Sequence, residues 1–197
     1  AVRPSLTHEE GPRQDPAVFE KMARFDLDSM IEAARTLTGA ADLAIPLLRE
    51  GAGLMKEFKR ERWTLPFGAV LVSGPGDDAY APEDLAGVAL LVDVGGRSRY
   101  SGPLAAAEDG QIRMAIDLAG EVTIDSPNAA CAGSGIFGIG LLYLPNPSGP
   151  KTLSVGDFSL GAGLFGIGGL FMEGTASSFE SRHFSQGAGA FGVGLFS

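Results

Sequence analysis

Three stretches of this chain are nearly identical: Gly133-Ser-Gly-Ile-Phe-Gly-Ile-Gly140, Gly161-Ala-Gly-Leu-Phe-Gly-Ile-Gly168 and Gly187-Ala-Gly-Ala-Phe-Gly-Val-Gly194. The second begins 28 residues after the first, and the third begins 26 residues after the second. A period of this length is typical of a solenoid, in which each repeat stacks on its neighbour. The sequence therefore predicts stacked coils in which the phenylalanine of each copy lies above that of the copy before.

The repeat also extends toward the N-terminus as short apolar runs, each followed by a glycine turn and a second strand. These runs end at Ser73, Asp93, Asp117, Leu144 and Met172, in steps of 20, 24, 27 and 28 residues. Glycine suits such turns because it tolerates positive φ and close packing at corners. A β-sandwich also has short strands between glycines, but repetition in register favours the solenoid. We expect a β-solenoid, similar to a β-helix or β-roll, of about five and a half coils with repeats of 20–28 residues.

The sequence pattern divides the chain into three segments. Together they predict a mainly β fold with an α-helical N-terminal leader. Residues 1–14 are polar and are expected to form a flexible arm. Residues 15–62 predict the helical leader, which is expected to cap the first coil, with one helix ending at Gly39 and a further helical stretch over 40–60. Residues 63–197 predict the glycine-rich solenoid.

Charge and composition exclude some classes of partner. The chain has 15 basic and 24 acidic residues and a net charge of −9, which argues against nucleic acid because phosphate binding needs clustered Lys and Arg. No apolar run reaches the roughly 20 residues of a membrane-spanning helix, so a membrane partner is not expected. Cys131 is the single cysteine and cannot form an internal disulfide.

One turn resembles a known calcium motif. The segment Gly74-Pro-Gly-Asp-Asp-Ala-Tyr80 matches the pattern G-x-G-x-D-x-U and resembles the calcium-binding nonapeptide of RTX β-rolls over seven residues. The resemblance implies Ca²⁺ bound between consecutive turns, with Asp77 and Asp78 as ligands, and no other cofactor is expected. The next turn carries Arg97 and Arg99 where further acids would be needed. The alternative is an aspartate that bonds its own backbone at a tight turn.

A second candidate cation site lies at the ends of two strands. Asp93 and Asp117 fall in one column of the repeat, which would place like charges about 5 Å apart on neighbouring coils. Two carboxylates this close raise the pKa of one of the two groups or attract a cation. A solvated ladder at the edge of the turn explains the same residues.

A candidate catalytic group precedes the glycine runs. The repeat places Asp157 one coil before His183, and Ser185 on the same face of the strand as His183. These residue types supply a nucleophile, a base and an orienting carboxylate, and Cys131 in the serine column is a second candidate nucleophile. The alternative is a set of small polar residues at a corner, with the histidine on the outer face and the cysteine as a small buried side chain.

The repeat stops at Ser197 within a coil, which leads us to expect a partner there. The partner would be a second polypeptide that continues or caps the solenoid, or another copy of the chain joined through that end. Maturation of a longer precursor or cleavage by a protease would each produce this end. Ala1 in place of Met indicates that an upstream segment was removed, which slightly favours a periplasmic or secreted protein.

These observations predict a non-catalytic scaffold or binding chain, one processed chain of a larger two-chain or oligomeric extracytoplasmic protein. The alternative is a hydrolase, acting through Asp157, His183 and Ser185 or through an N-terminal nucleophile on a downstream cleaved chain. A second alternative is a membrane-active glycine-rich protein, because small residues allow close approach of segments in lipid.

Overall fold

The computed structural model describes residues 16–174 and 178–197, so the predicted arm at 1–14 lies outside the described residues. It shows N-terminal helices followed by a β-solenoid built almost entirely from parallel strands, which confirms the predicted fold class. The helices are α1 (Pro16–Ala23), α2 (Leu27–Gly51), a 3₁₀ turn (Ala52–Leu54) and α3 (Pro82–Leu85).

The strands form three sheets. The long sheet has the order β1-β2-β4-β7-β10-β13-β16 and contains β1 (Glu61–Leu65), β2 (Gly68–Ser73), β4 (Val88–Asp93), β7 (Ile112–Asp117), β10 (Ile139–Leu144), β13 (Ile167–Met172) and β16 (Val193–Phe196). The middle sheet contains β3 (Asp78–Tyr80), β5 (Arg97–Tyr100), β8 (Glu121–Ser126), β11 (Lys151–Val155) and β14 (Ser178–Glu180). The short sheet contains β6 (Ala107–Glu108), β9 (Gly135–Ile136), β12 (Gly163–Leu164) and β15 (Gly189–Ala190).

A complete turn of the solenoid has three strands, one in each sheet. The short sheet has four strands, so the structure has about four complete turns and not the five and a half expected. The first coil has the helix α3 (Pro82–Leu85) in place of a third strand. The third strand was not predicted from the sequence because the backbone bends inside the glycine-rich run, where a short strand, a phenylalanine and a glycine precede the long strand.

The phenylalanines at this bend form one continuous file, as predicted. The ring centroids of Phe137 and Phe165 are 5.0 Å apart, those of Phe165 and Phe191 are 4.8 Å apart, and both pairs are nearly parallel. The φ angles of the three residues are 52°, 44° and 51°, in the left-handed region that non-glycine residues rarely occupy. Stacking between neighbouring rings offsets part of this backbone strain.

The glycines three residues after Phe137 and Phe165 are needed for close packing and not for positive φ. Gly140 and Gly168 have ordinary φ angles, but an added Cβ would overlap the backbone oxygen of Ser134 or Ala162. Of the two properties of glycine that were expected to matter at the turns, close packing is the one that applies at these two positions. Here the residue type is set by how closely one segment of backbone passes another.

The helix α2 is continuous through Gly39 and Pro46, so the prediction of a helix end at Gly39 was wrong. Asp26 caps its N-terminus by accepting a 3.1 Å hydrogen bond from the backbone N–H of Ser29. Its buried side includes Ala41 and Ile45 and packs against the long sheet. This packing outweighs the low helix propensity of glycine and proline.

The helix α2 of the leader does not cap the first coil as expected. The helix α2 lies on the outer face of the long sheet and covers apolar side chains such as Ile116, Leu141 and Ile167. All six residues of β10 are buried, as expected for a strand covered on both faces. The first coil is instead covered by the last residues of the predicted leader, where the Arg60 guanidinium lies 4.1 Å from the centre of the Tyr80 ring.

Candidate functional site

The structure brings two of the predicted catalytic residues together. The Asp157 carboxylate lies 3.1 Å from His183 Nδ1 and also accepts a 2.8 Å hydrogen bond from the backbone N–H of His183. These bonds are the main reason why the pKa of Asp157 is below its usual value. The imidazole is largely exposed, because His183 lies on the outside of the last complete coil.

The Ser185 hydroxyl takes part in a ladder of side chains that bond to backbone groups. Ser185 Oγ donates to the backbone oxygen of His183 at 3.4 Å and accepts from the backbone N–H of Ser159 at 3.3 Å. One coil earlier, Ser159 Oγ accepts from the backbone N–H of Cys131 at 3.0 Å. The pair Asp157–His183 is thus assembled, while the hydrogen bonds that the structure gives Ser185 Oγ are to the backbone.

Cys131 continues this ladder and is fully buried. Its Sγ accepts a hydrogen bond from the backbone N–H of Leu104 at 3.3 Å. Burial raises the pKa of the Cys131 thiol to about 11. A thiol with a raised pKa is a poor nucleophile at neutral pH, because the thiolate is the reactive form.

The aspartates of the calcium-like turn are each paired with an arginine. Asp77 binds the guanidinium of Arg97, with a shortest distance of 2.7 Å, and also accepts from its backbone N–H at 3.0 Å. Asp78 binds Arg60 at 2.6 Å. Within residues 16–174 and 178–197, no three or more His, Cys, Asp or Glu side chains form a group that could hold a metal ion.

Asp93 and Asp117 are register partners on β4 and β7, as predicted, but they are completely buried. The interpretation as a solvated ladder was therefore wrong, because both side chains turn into the core. Each carboxylate accepts a 2.7 Å hydrogen bond from a tyrosine hydroxyl, Asp93 from Tyr80 and Asp117 from Tyr100. Backbone N–H groups of the following turns bind the second oxygens.

Burial is the main cause of the pKa shifts of Asp93, Asp117, Tyr80 and Tyr100, which together form a buried polar cluster. Loss of solvation raises the pKa of both aspartates, and the charge of Asp93 raises that of Asp117 further. The pKa values of Tyr80 and Tyr100 are also raised by burial, so both phenols remain protonated donors. The two rings are stacked with centroids 4.6 Å apart, which joins the two coils.

Lys151 was not predicted to be part of the interior. It is completely buried, and its Nζ donates a 2.6 Å hydrogen bond to the backbone oxygen of Asn146. Burial lowers the pKa of this ammonium group, and the negative charges of Asp117 and Glu173 partly offset the effect. Its register position indicates an inward-facing side chain, because Lys151 aligns with the inward-facing Val122 and Ser98.

A groove of about 520 Å³ lies between the N-terminal helices and the solenoid. This volume is within the range of small-molecule sites. One wall consists of the end of α1 and the first turns of α2, and the other consists of the turns that lead into β7 and β10. Its apolar surface is formed by six side chains: Phe25, Met30, Ala33, Ile112, Phe137 and Ile139.

The charged groups of the groove lie at its rim. Lys21 Nζ forms a 2.5 Å ion pair with Asp109 and lies 6.0 Å from the centre of the Phe137 ring. Asp109 and Phe137 occupy equivalent positions in successive coils, because Glu108 and Ile136 are register partners. The Asp26 carboxylate accepts hydrogen bonds from the N–H and the hydroxyl of Ser29.

This groove was not predicted from the sequence, although the sequence contains one signal for it. Asp109 lies 28 residues before Phe137, the same step that separates the first two repeat copies. The sequence does not show that the N-terminal helices lie against the column of Asp109 and Phe137, because only the tertiary structure determines where the helices pack. There, the Phe25 ring meets the edge of Phe165 at a centroid distance of 5.7 Å.

No protein-family model, curated protein or solved structure matches this chain. None of the helices that the structure describes is long and apolar enough to cross a membrane. A functional proposal therefore rests on the geometry of the site.

Proposed function

We propose that this chain is a non-catalytic β-solenoid scaffold that binds a small apolar ligand in the groove between its N-terminal helices and the file of phenylalanines. The observation that carries the proposal is the open apolar pocket of about 520 Å³. The groove is also built on rigid elements, because its walls include strands of the long sheet and the start of a 25-residue helix. Rigid walls favour binding because little conformational freedom is lost.

The other predicted sites support a scaffold because their side chains are used within the fold. Asp77 and Asp78 neutralise arginines of the same surface, and Asp93 and Asp117 accept hydrogen bonds inside the core. Cys131 bonds to the backbone in the ladder that joins neighbouring coils. Each group therefore has a structural role that accounts for its residue type.

Binding of N-phenyl-1-naphthylamine, an uncharged apolar fluorophore, tests the proposal. Ile112→Asp places a carboxylate on the apolar surface of the groove and is expected to weaken binding about ten-fold, since a charge must then be desolvated. The control is Leu43→Asp on the exposed side of α2, which should bind like the wild type. Absence of fluorophore binding, or equal weakening by both variants, would refute the proposal.

A second candidate function is hydrolysis, which the 3.1 Å contact between Asp157 and His183 favours. A carboxylate that orients an exposed imidazole is the arrangement of a general base. The test is hydrolysis of p-nitrophenyl acetate by the wild type and by Ser185→Ala and His183→Ala. A loss of activity in both variants would support a serine hydrolase, whereas activity at the background level in all three proteins would exclude this site.

We also propose that the chain acts within a larger assembly. Within the part of the chain that the structure describes, the strands β14, β15 and β16 each pair on one side only, and the nearby side chains of Phe191 and Leu195 are exposed. A further parallel rung supplied by a second copy would pair these edges and cover the apolar groups. Sedimentation should show association that Leu195→Arg weakens, and a monomer at all concentrations would contradict it.

A further inference from the structure

We propose that the ligand of the groove is an apolar molecule with a single acid group, and that Arg24 binds the acid. This inference rests on the proposed function, because it names the chemical class that the same groove takes. Its basis is the combination of an apolar interior with a rim on which one cation is left unpaired.

The pairing of the rim charges leaves Arg24 as the free cation. Lys21 is held by Asp109 at 2.5 Å, and Asp26 is engaged as the cap of α2. Among the residues that the structure describes, the guanidinium of Arg24 has no hydrogen-bond or ion-pair partner. An incoming acid would therefore meet an available donor, whereas a cationic ligand would meet carboxylates that already have partners.

The geometry of an arginine side chain suits this role. A guanidinium presents several N–H donors in a planar fork that can bind both oxygens of a carboxylate. Arg24 precedes Phe25, whose ring lines the apolar part of the groove, so the chain places a cation beside an apolar wall. An acid bound at the rim would then direct its apolar part toward Phe25 and Ile112.

The overall charge of the chain makes a local cation necessary. The net charge of −9 opposes the approach of any anion. An acid would therefore bind no better than its neutral analogue unless a specific group compensated for this repulsion. The proposal can therefore be tested by comparing the affinities of an acid and an alcohol that have the same apolar part.

The experiment uses the full chain and measures displacement of bound N-phenyl-1-naphthylamine by decanoate and by decan-1-ol. We expect decanoate to displace the fluorophore at lower concentration than decan-1-ol. Arg24→Gln should weaken decanoate about five-fold, as expected for a partly exposed ion pair, and should weaken decanoate more than decan-1-ol or the fluorophore. Arg35→Gln is the matched control, because Arg35 is an exposed arginine of α2 that pairs with Glu32 and does not line the groove.

A second variant tests the assignment in the opposite direction. Asp109→Asn removes a negative charge from the rim and releases Lys21, so decanoate should bind a few-fold more tightly. Thermal unfolding of each variant shows whether the fold is retained.

The outcomes separate the two proposals. If the fluorophore does not bind, the proposed function fails. If the fluorophore binds but decanoate has no advantage over decan-1-ol, or Arg24→Gln weakens both competitors equally, the groove binds apolar molecules and the acid assignment is overturned.

Discussion

The hydroxyl of Tyr100 donates a 2.7 Å hydrogen bond to the Asp117 carboxylate in the interior of the solenoid. One coil earlier, Tyr80 makes the same bond to Asp93. Two carboxylates are thereby held on adjacent rungs at completely buried positions. Hydrogen bonds repay part of the cost of burial, but the pKa values remain raised.

The first prediction concerns the pH dependence of stability. An aspartate whose folded pKa is raised above the unfolded value of about 3.9 contributes stability that is fully present below about pH 4. This contribution is lost as the pH rises through the folded pKa. The wild type should therefore lose stability between about pH 4 and about pH 8, and Asp117→Asn, which resembles the protonated carboxyl, should lose at least about 1 kcal/mol less.

Melting temperatures measured across this pH range test the prediction. Asp125→Asn is the control, because Asp125 is an exposed aspartate on β8, and this variant should keep the slope of the wild type. Equal slopes for the wild type and Asp117→Asn would show that Asp117 does not cause the pH dependence.

The second prediction isolates the hydroxyl of Tyr100. Tyr100→Phe leaves the buried Asp117 carboxylate with one partner fewer, so the free energy of unfolding should fall by about 1–3 kcal/mol. The control is Tyr143→Phe, since Tyr143 is also buried and stacked, but its hydroxyl, unlike that of Tyr100, is not bonded to a buried carboxylate. Urea denaturation should show little or no loss for this control, and similar losses in both variants would contradict the assigned role.

The third prediction tests the close approach of backbone segments at the corners. In Gly168→Ala, the new Cβ would overlap the backbone oxygen of Ala162, and the variant should be destabilised by about 3 kcal/mol or more. Gly39→Ala is the opposite case, because nothing lies within 4 Å and the residue is helical, so stability should increase by about 0.5–1 kcal/mol. Equal effects of the two substitutions in calorimetry would rule out this explanation.

The fourth prediction concerns the file of phenylalanines. Phe165 lies between Phe137 and Phe191 and also meets the edge of Phe25, so Phe165→Ala removes three ring contacts. At about 0.5–1.5 kcal/mol for each pair, the expected loss of stability is about 2–4 kcal/mol. Phe184→Ala removes one stacked contact, with Phe158, and should cost about 1 kcal/mol. Chemical denaturation that ranks the two variants in the reverse order would contradict the prediction.

The periodic part of the fold could be predicted from the sequence because each copy must make the same contacts with its neighbours. The stacking of Phe137, Phe165 and Phe191 and the pairing of Asp93 with Asp117 follow from register alone. The third strand of each turn could not be predicted in this way. A phenylalanine in the left-handed region divides one apolar run into two strands, and residue type does not signal this conformation.

The sequence by itself determined a solenoid with a helical leader, since spacing along the chain specifies which residues lie above one another. Only the tertiary structure decided that α2 covers the long sheet, that Asp93 and Asp117 face the core and that a groove forms beside Phe137. The physical reason is that these features depend on contacts between non-repeating and repeating segments. Such contacts are set by complementary apolar surfaces and have no counterpart in the period of the repeat.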